Sequence, residues 1–274
     1  MSDSDFPNPA AQASADALLW QQPRPWLTAP RAPFPRVDVT TAGQRHPLRP
    51  SKPRGEVYRR HIPWLDATLT FRALDIDADL PRMHRWMNDP VVAHFWQEEG
   101  DLAHQRAYLG RIAADPHATA LIGSFDGEPF GYFEVYWAKE DRIAPFCAAG
   151  DYDRGWHVLV GEERFRGKAG GKAWLSAWMP SISHYLFLDD PRTRRLVIEP
   201  RADNDRMRRS LARCGYDLVR EFDFPHKRAV LGVLPRERFF GEALWLPQPD
   251  APAHGAAGRS ATLTVEDTPC KSMT

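Results

Sequence analysis

The sequence predicts an α/β domain built on a mixed, mostly antiparallel sheet with flanking helices. Apolar residues recur with strand-like and helix-like periods in alternation through residues 54–246. Two of the strand-like stretches flank Asp126-Gly127, a dipeptide that favours a tight antiparallel hairpin. Between Arg154 and Glu199 a strand, a Gly-rich turn, a helix and a second strand follow one another, an order that requires a parallel crossover.

The elements follow in sequence. Thr68–Leu74 alternates in polarity as a strand does, and Asp77–Met87 places Leu80, Met83, His84 and Met87 on one helical face behind the acidic start Asp75–Asp79. Leu102–Ala114 is a second amphipathic helix, ending before Pro116. Thr119–Phe125 and Phe130–Trp137 form the hairpin, and Arg154–Val160 is the next strand. The Gly-rich segment Arg166–Gly171 opens a helix through Ser176, and Pro180 is expected to kink or interrupt it before Ile182–Leu188. Arg195–Glu199 is a strand. Asp203–Arg213 is a helix with Met207, Leu211 and Cys214 on one side, stopped at Gly215. Tyr216–Phe224 and Lys227–Leu234 close the domain as strands.

Ten of the 25 prolines lie within residues 1–53. Proline removes a backbone donor, so this stretch is expected to be an extended, partly disordered arm or linker. A short helix at Ala15–Trp20 and docking by Trp20 and Trp26 are the exceptions it allows. Residues 54–246 form the expected domain and 247–274 a flexible tail. Lys and Arg number 36 against 36 Asp and Glu, a balance that argues against a chain-wide nucleic-acid footprint. The three cysteines are far apart and show no metal or disulfide spacing, so no metal is expected and a reducing compartment is the default. The start MSDSDFPNPA lacks the pattern of a secretory signal, and no apolar run approaches the roughly 20 residues of a membrane span. A cytoplasmic location without membrane attachment is therefore expected.

The segment Arg166-Gly167-Lys168-Ala169-Gly170-Gly171-Lys172 is suited to a pyrophosphate. Its glycines let several backbone N–H groups face one point, and the following helix adds its N-terminal N–H groups and positive dipole end. Arg166, Lys168 and Lys172 add charge. A basic loop without a ligand is the alternative reading of the same residues. The spacing is that of neither a P-loop nor a dinucleotide-binding fingerprint.

Strand, Gly-rich turn, helix and strand together resemble the acyl-CoA loop of the GNAT N-acetyltransferase superfamily. Arg166 and Gly171 match the ends of its pattern, and Ala169 stands where the first glycine is usual. Longer strings narrow the resemblance: Gly131–Asp141, Asp153–Gly161, Leu186–Thr193, Glu199–Asn204 and Phe222–Ala229 are similar to the siderophore N-acyltransferases of aerobactin, alcaligin and desferrioxamine assembly, and more distantly to the lysine acyltransferase of mycobactin assembly. The similarity covers about residues 66–242. It implies a GNAT fold with a central splayed parallel strand pair. It also implies acyl transfer from acetyl-CoA or another acyl-CoA to the side-chain nitrogen of an N-hydroxylated amine, giving a hydroxamate. Other siderophore-assembly enzymes are further candidate partners.

The resemblance carries roles onto particular residues. His157, in Gly155-Trp156-His157, matches a proposed general base, and imidazole suits that task because its ordinary pKa lies near operating pH. Glu199 matches its acidic partner; a salt bridge with Arg201 is its alternative role. Backbone N–H groups at Val158–Val160, where such folds usually bulge, are candidate oxyanion donors. Val158, Val160, Arg166, Gly167, Lys168, Ala169, Gly170, Gly171, Lys172 and Asn204 are the candidate acyl-CoA contacts. His94, Trp96 and Trp137 are candidates to line an aliphatic acceptor channel, with Glu134, Lys139 and Asp141 at its polar end. Lys227 and Arg228 are candidate phosphate contacts or a solvated turn. The tyrosine often used as general acid falls at Leu211, so that role is not carried over. Two other readings remain open: a GNAT enzyme acting on another amine such as an aminoglycoside, and an acyl-CoA-binding module without catalysis, which Ala169 alone favours.

Overall fold

A computed structural model describes residues 36–41, 43–166 and 173–246. The expected helix at Ala15–Trp20, the two arm tryptophans, the candidate contacts Gly167, Lys168, Ala169, Gly170, Gly171 and Lys172, and the expected tail lie outside the described residues.

Two sheets are present among the described residues. A small hairpin pairs β1 (Asp38–Thr41) with β2 (Gln44–Pro47). The large sheet has eight strands: β3 (Glu56–Ile62), β4 (Ala67–Ala73), β5 (Ala118–Phe125), β6 (Glu128–Trp137), β7 (Arg154–Val160), β8 (Arg195–Ile198), β9 (Asp217–Asp223) and β10 (Arg228–Pro235), in the spatial order β3-β4-β5-β6-β7-β8-β10-β9. Every neighbouring pair is antiparallel except β7–β8, which runs parallel and is joined only at Arg154 opposite Leu196. Beyond that pair the two strands separate.

The local chemistry explains most element ends. Asp126 and Gly127 both take positive φ, 49° and 81°, as the β5–β6 turn requires. Asp75 caps α1 (Ile76–Met87) by accepting from the amides of Asp77 and Ala78; Asp89 caps α2 (Pro90–Trp96) and Asp101 caps α3 (Leu102–Ala114) in the same way. Asn204 caps α6 (Asp205–Arg213) through Met207 N at 3.0 Å. The short helices α4 (Ala144–Cys147) and α7 (Arg236–Gly241) complete the chain with the crossover helix α5 (Trp174–Asp189).

Helices cover both faces of the sheet. On one face α1 and α3 bury Met83, Trp86 and Leu109 against Ile122, Tyr132 and Leu159. On the other, α5 buries Trp178, Met179 and Phe187 against Phe133, Trp156 and Leu196. Each such large apolar side chain stabilises the fold by about 1.5–3 kcal/mol.

The sequence expectations need correction in three places. The crossover helix is one continuous element from Trp174 to Asp189 and is not interrupted at Pro180. Nearly its whole middle is buried, and that packing outweighs the lost backbone bond, which costs about 3 kcal/mol. Within the stretch expected to be an extended arm, Asp38–Thr41 and Gln44–Pro47 pair as antiparallel strands that the high proline content concealed. Strand β3 was not anticipated either, because EVYRRHI carries charge at positions the sheet edge leaves wet.

Candidate functional site

The site is built where β7 and β8 diverge. Gly155 permits the close approach before the gap: a Cβ there would lie 2.3 Å from both the Tyr136 ring and the Val197 carbonyl. In the β6–β7 ladder, Glu134 stands directly opposite His157. Cross-strand alternation puts Tyr132, Glu134 and Tyr136 on the same face as His157. Glu199 follows β8 immediately and reaches the imidazole from across the gap.

The imidazole is held between two carboxylates. His157 Nε2 lies 2.8 Å from Glu199 Oε1, and Nδ1 lies 3.2 Å from Glu134 Oε2. Each carboxylate has further donors. Tyr132 donates its hydroxyl to Glu134 Oε1 at 2.9 Å, Tyr108 donates to the same oxygen, and Trp96 Nε1 donates to the Tyr108 hydroxyl at 3.2 Å. Tyr136 donates to Glu199 Oε2 at 2.8 Å. Lys227 Nζ donates to the Glu199 carbonyl oxygen at 2.9 Å and lies 3.5 Å from its carboxylate. Burial works against a charged imidazole here, but Glu199 and Glu134 outweigh it and push His157 up to about 10. Burial likewise works against charge on Glu199 and Glu134, yet His157 holds both below the usual carboxylate range. The cluster is therefore a carboxylate–imidazolium–carboxylate chain at neutral pH. The expectation of an imidazole titrating near operating pH is corrected by these two neighbours. The alternative pairing of Glu199 with Arg201 is not formed; Arg201 bonds Asp203 at 2.8 Å.

A cavity of about 710 Å³ opens over this cluster. It is lined on one side by Trp96, Tyr108, Asp115, His117 and Glu140, and on the other by Asn204, Met207 and Leu211 beyond the splay. The β6–β7 register runs without a shift, so the expected bulge is absent from this described stretch. The ladder itself still frees the expected donors. Ala138 N bonds Asp153 O at 2.8 Å and Gly161 N bonds Phe130 O at 2.9 Å. Alternation between those ends turns the amides of Val158 and Val160 away from β6, toward the side β8 has left. Val158 lines the cavity, so its amide is placed for the thioester of acyl-CoA; Val160 is not among the lining residues.

The other candidate residues divide. Glu134, Asp141, Trp96 and Asn204 line the cavity with His157, Val158 and Glu199. Asp141 is pushed upward by burial and by the charge of Glu199. His94, Trp137 and Lys139 are not brought there. His94 packs edge-on against Phe95, with ring centroids 4.6 Å apart. Trp137 lies an odd number of residues from Glu134 on one strand, so its side chain is on the opposite face, against Arg49 and Arg154. Lys139 is paired with Asp151. Arg166 spends its guanidinium on the carbonyl oxygens of Val160 and Gly161, at 2.8 and 2.9 Å, and on Asp89. Of the Lys227-Arg228 pair, Lys227 serves Glu199 and Arg228 bonds Glu221 at 2.9 Å.

Residues that the sequence reading passed over complete the site. The spacing Tyr132-x-Glu134-x-Tyr136 on a strand was a readable signal for one shared face. Nothing local marks Tyr108, which reaches Glu134 from α3 only through the tertiary fold.

Comparison with known proteins agrees with this geometry. Residues 75–224 match the family described as the acetyltransferase (GNAT) domain. The chain is 44% identical over 228 residues to the N(6)-hydroxylysine O-acetyltransferase of Escherichia coli, covering 82% of this chain and 71% of that protein. It is 45% identical over 205 residues to an N(5)-hydroxyornithine:cis-anhydromevalonyl coenzyme A-N(5)-transacylase of Beauveria bassiana, covering 71% of this chain but 43% of that protein. The chain spans about half the length of several other acyltransferases that it matches. A crystal structure of an uncharacterised Bacillus halodurans protein superposes with a TM-score of 0.65 at 27% identity, covering 71% of this chain and 96% of that one. No helix among the described residues is long and apolar enough to cross a membrane. These matches establish that the chain belongs to the GNAT acetyltransferase family, and the splayed parallel pair agrees with them.

Proposed function

We propose that the protein transfers an acyl group from acyl-CoA to the side-chain nitrogen of an N-hydroxylated amine of the hydroxylysine, hydroxyornithine or hydroxydiamine type, forming a hydroxamate for siderophore assembly. The observation that carries the reading is the Glu134–His157–Glu199 chain set beside Val158, whose amide the β6–β7 ladder turns toward the β7–β8 gap. Relatives named for hydroxylysine and hydroxyornithine support the acceptor class. A cytoplasmic location follows from the reading, because acyl-CoA thioesters are made and kept there. The catalytic domain is taken as residues 54–246. Contact with other assembly enzymes is a further part of the proposal.

The mechanism follows from the charges. A hydroxylamine nitrogen is neutral near pH 7 and attacks the thioester carbonyl directly. The Val158 N–H donates to the oxygen as it gains charge, while the Val160 N–H, about 6.7 Å further along the unbulged strand, is left for the pantetheine arm. The new C–N bond makes the nitrogen cationic and strongly acidic, so a carboxylate is a sufficient acceptor for its proton. The His157–Glu199 pair takes that proton as a unit: the ring is 21% exposed at the cavity, and Glu199, 0% exposed behind it, takes up the proton that the ring sheds. The C–S bond then breaks, and the coenzyme A thiolate leaves and is protonated from the cavity. Positioning and oxyanion donation supply most of the rate.

The test is thiol release from acetyl-CoA with N6-hydroxylysine, lysine, hydroxydiamines and aminoglycosides, each product treated with ferric iron. A coloured ferric hydroxamate from the hydroxylated amines is expected. An O-acyl product gives no such colour and overturns nitrogen attack. Turnover of aminoglycosides alone overturns the acceptor class. Acyl-CoA binding without turnover of any amine overturns catalysis.

A further inference from the structure

We propose that residues 36–41 and 43–52, which precede the matched family region, form a strap that positions the distal wall of the acceptor cavity, with Arg49 and Lys52 as its positioning residues. The proposal rests on reading the cavity as the acceptor site. Two loops supply that wall: one carries Asp115 and His117, the other Glu140, Asp141 and Arg142. The strap grips both.

Arg49 donates Nε and Nη2 to the two oxygens of Glu140, at 2.7 and 2.8 Å. The two side chains are only 3% and 2% exposed, so this bidentate pair is sealed from water. The Arg49 guanidinium also lies 4.3 Å from the Trp137 ring centroid. Gln44 Nε2 donates to the Lys139 carbonyl oxygen at 2.5 Å, just before Glu140. Lys52 Nζ donates to the carbonyl oxygens of Ile112 and Ala113 at 2.5 and 2.8 Å, in the last turn of α3, which leads into the other loop. His46 joins the loops: its Nδ1 lies 2.8 Å from Glu140, and its ring meets that of His117 edge-on at 4.8 Å. The ligand atoms of His46, His117 and Glu140 fall within 4.8 Å of one another, a spacing that alone would suit a divalent cation. Arg49 fills both Glu140 oxygens and would repel such an ion, so the cluster is an ion-pair lock.

The lock is close to the chemistry. Arg142, two residues beyond Glu140, approaches Glu199 to 4.0 Å. Loosening Arg49 leaves a buried carboxylate without its cation, and the loop must move to hydrate it. The wall that meets the acceptor then shifts, while β7 stays paired to β6 and keeps the Val158 amide in place.

The experiment is steady-state thiol release by Arg49→Met, Arg49→Lys and Lys52→Met, varying acceptor and acyl-CoA separately. The expected result is an acceptor KM raised about tenfold or more in Arg49→Met, partly rescued in Arg49→Lys, with the acyl-CoA KM within about twofold of wild type. Lys52→Met and Gln44→Ala leave the buried pair intact and carry the same direction of effect if Arg49→Met does not fold. Equal changes in both KM values, or no change in the acceptor KM, overturn the strap. A wild-type enzyme that ignores hydroxylamines but uses another amine overturns the acceptor reading instead, and the split is then measured on that amine.

Discussion

Replacing Glu199 by Gln keeps the side-chain shape and removes one of the two charges that hold His157. In the wild type the carboxylates lie 2.8 and 3.2 Å from the ring nitrogens. Burial opposes the charged ring, and the carboxylates more than offset it, moving it from an ordinary 6.5 up to about 10. That preference for the imidazolium is worth several kcal/mol, at about 1.4 kcal/mol per pH unit. In Glu199→Gln, burial and Glu134 alone set the balance, so the ring titrates at lower pH. The proton acceptor is lost in the same step, and kcat should fall by about 10²–10⁴. Histidine-labelled NMR followed through pH reads the ring, and thiol release reads the rate. The wild-type ring should stay protonated through neutral pH and titrate near the high value. A wild-type ring that loses its proton below about pH 7, or a variant with unchanged kcat, refutes the reasoning.

Stability should carry the same signature. A ring whose folded pKa is raised contributes stability that is full below its unfolded value of 6.5 and lost as pH rises toward about 10. Denaturant unfolding should therefore show a loss across that window in the wild type, and a smaller one in His157→Gln. The depressed carboxylates Glu134 and Glu199 act in the opposite direction, contributing above 4.5 and losing their contribution as acid protonates them. Tyr136→Phe removes one donor to Glu199 and should lower kcat about tenfold with little effect on the acyl-CoA KM, read by thiol release. Gly155→Ala drives a methyl group into the Tyr136 ring and the Val197 carbonyl, each 2.3 Å away, and should cost about 3 kcal/mol or more of stability by thermal or urea unfolding; near-normal stability would contradict the close β7–β8 approach.

Local patterning was enough for the elements that dictate themselves. The Asp126-Gly127 turn, the helices α1, α3 and α6 and the alternating strands of the central sheet stand where period and turn chemistry place them, whereas the short α2 was not expected. The crossover helix shows the limit, because Pro180 reads as a break locally and only the surrounding core keeps the helix whole. At the site, His157 and Glu199 were found through family strings, yet their charge state depends on a pair of carboxylates brought together from β6 and the end of β8. Trp137 and Glu134 were assigned to one pocket although odd spacing on a strand separates their faces, an error that strand parity alone corrects. Lys139, Tyr108 and Lys227 could not be sorted locally, since each finds its partner through long-range packing: Asp151, Glu134 and Glu199. The strap at 36–41 and 43–52 was hidden by its prolines, because its grip comes from Arg49 reaching Glu140 and Lys52 reaching the end of α3, both far along the chain.

A structure of the protein with an unreactive thioether analogue of acyl-CoA and a hydroxylated amine tests the account most directly. The analogue's carbonyl oxygen should sit within hydrogen-bond reach of the Val158 amide, with the acceptor nitrogen beside the His157–Glu199 pair. A carbonyl bound away from the β7–β8 gap, with His157 and Glu199 remote from both substrates, would contradict it.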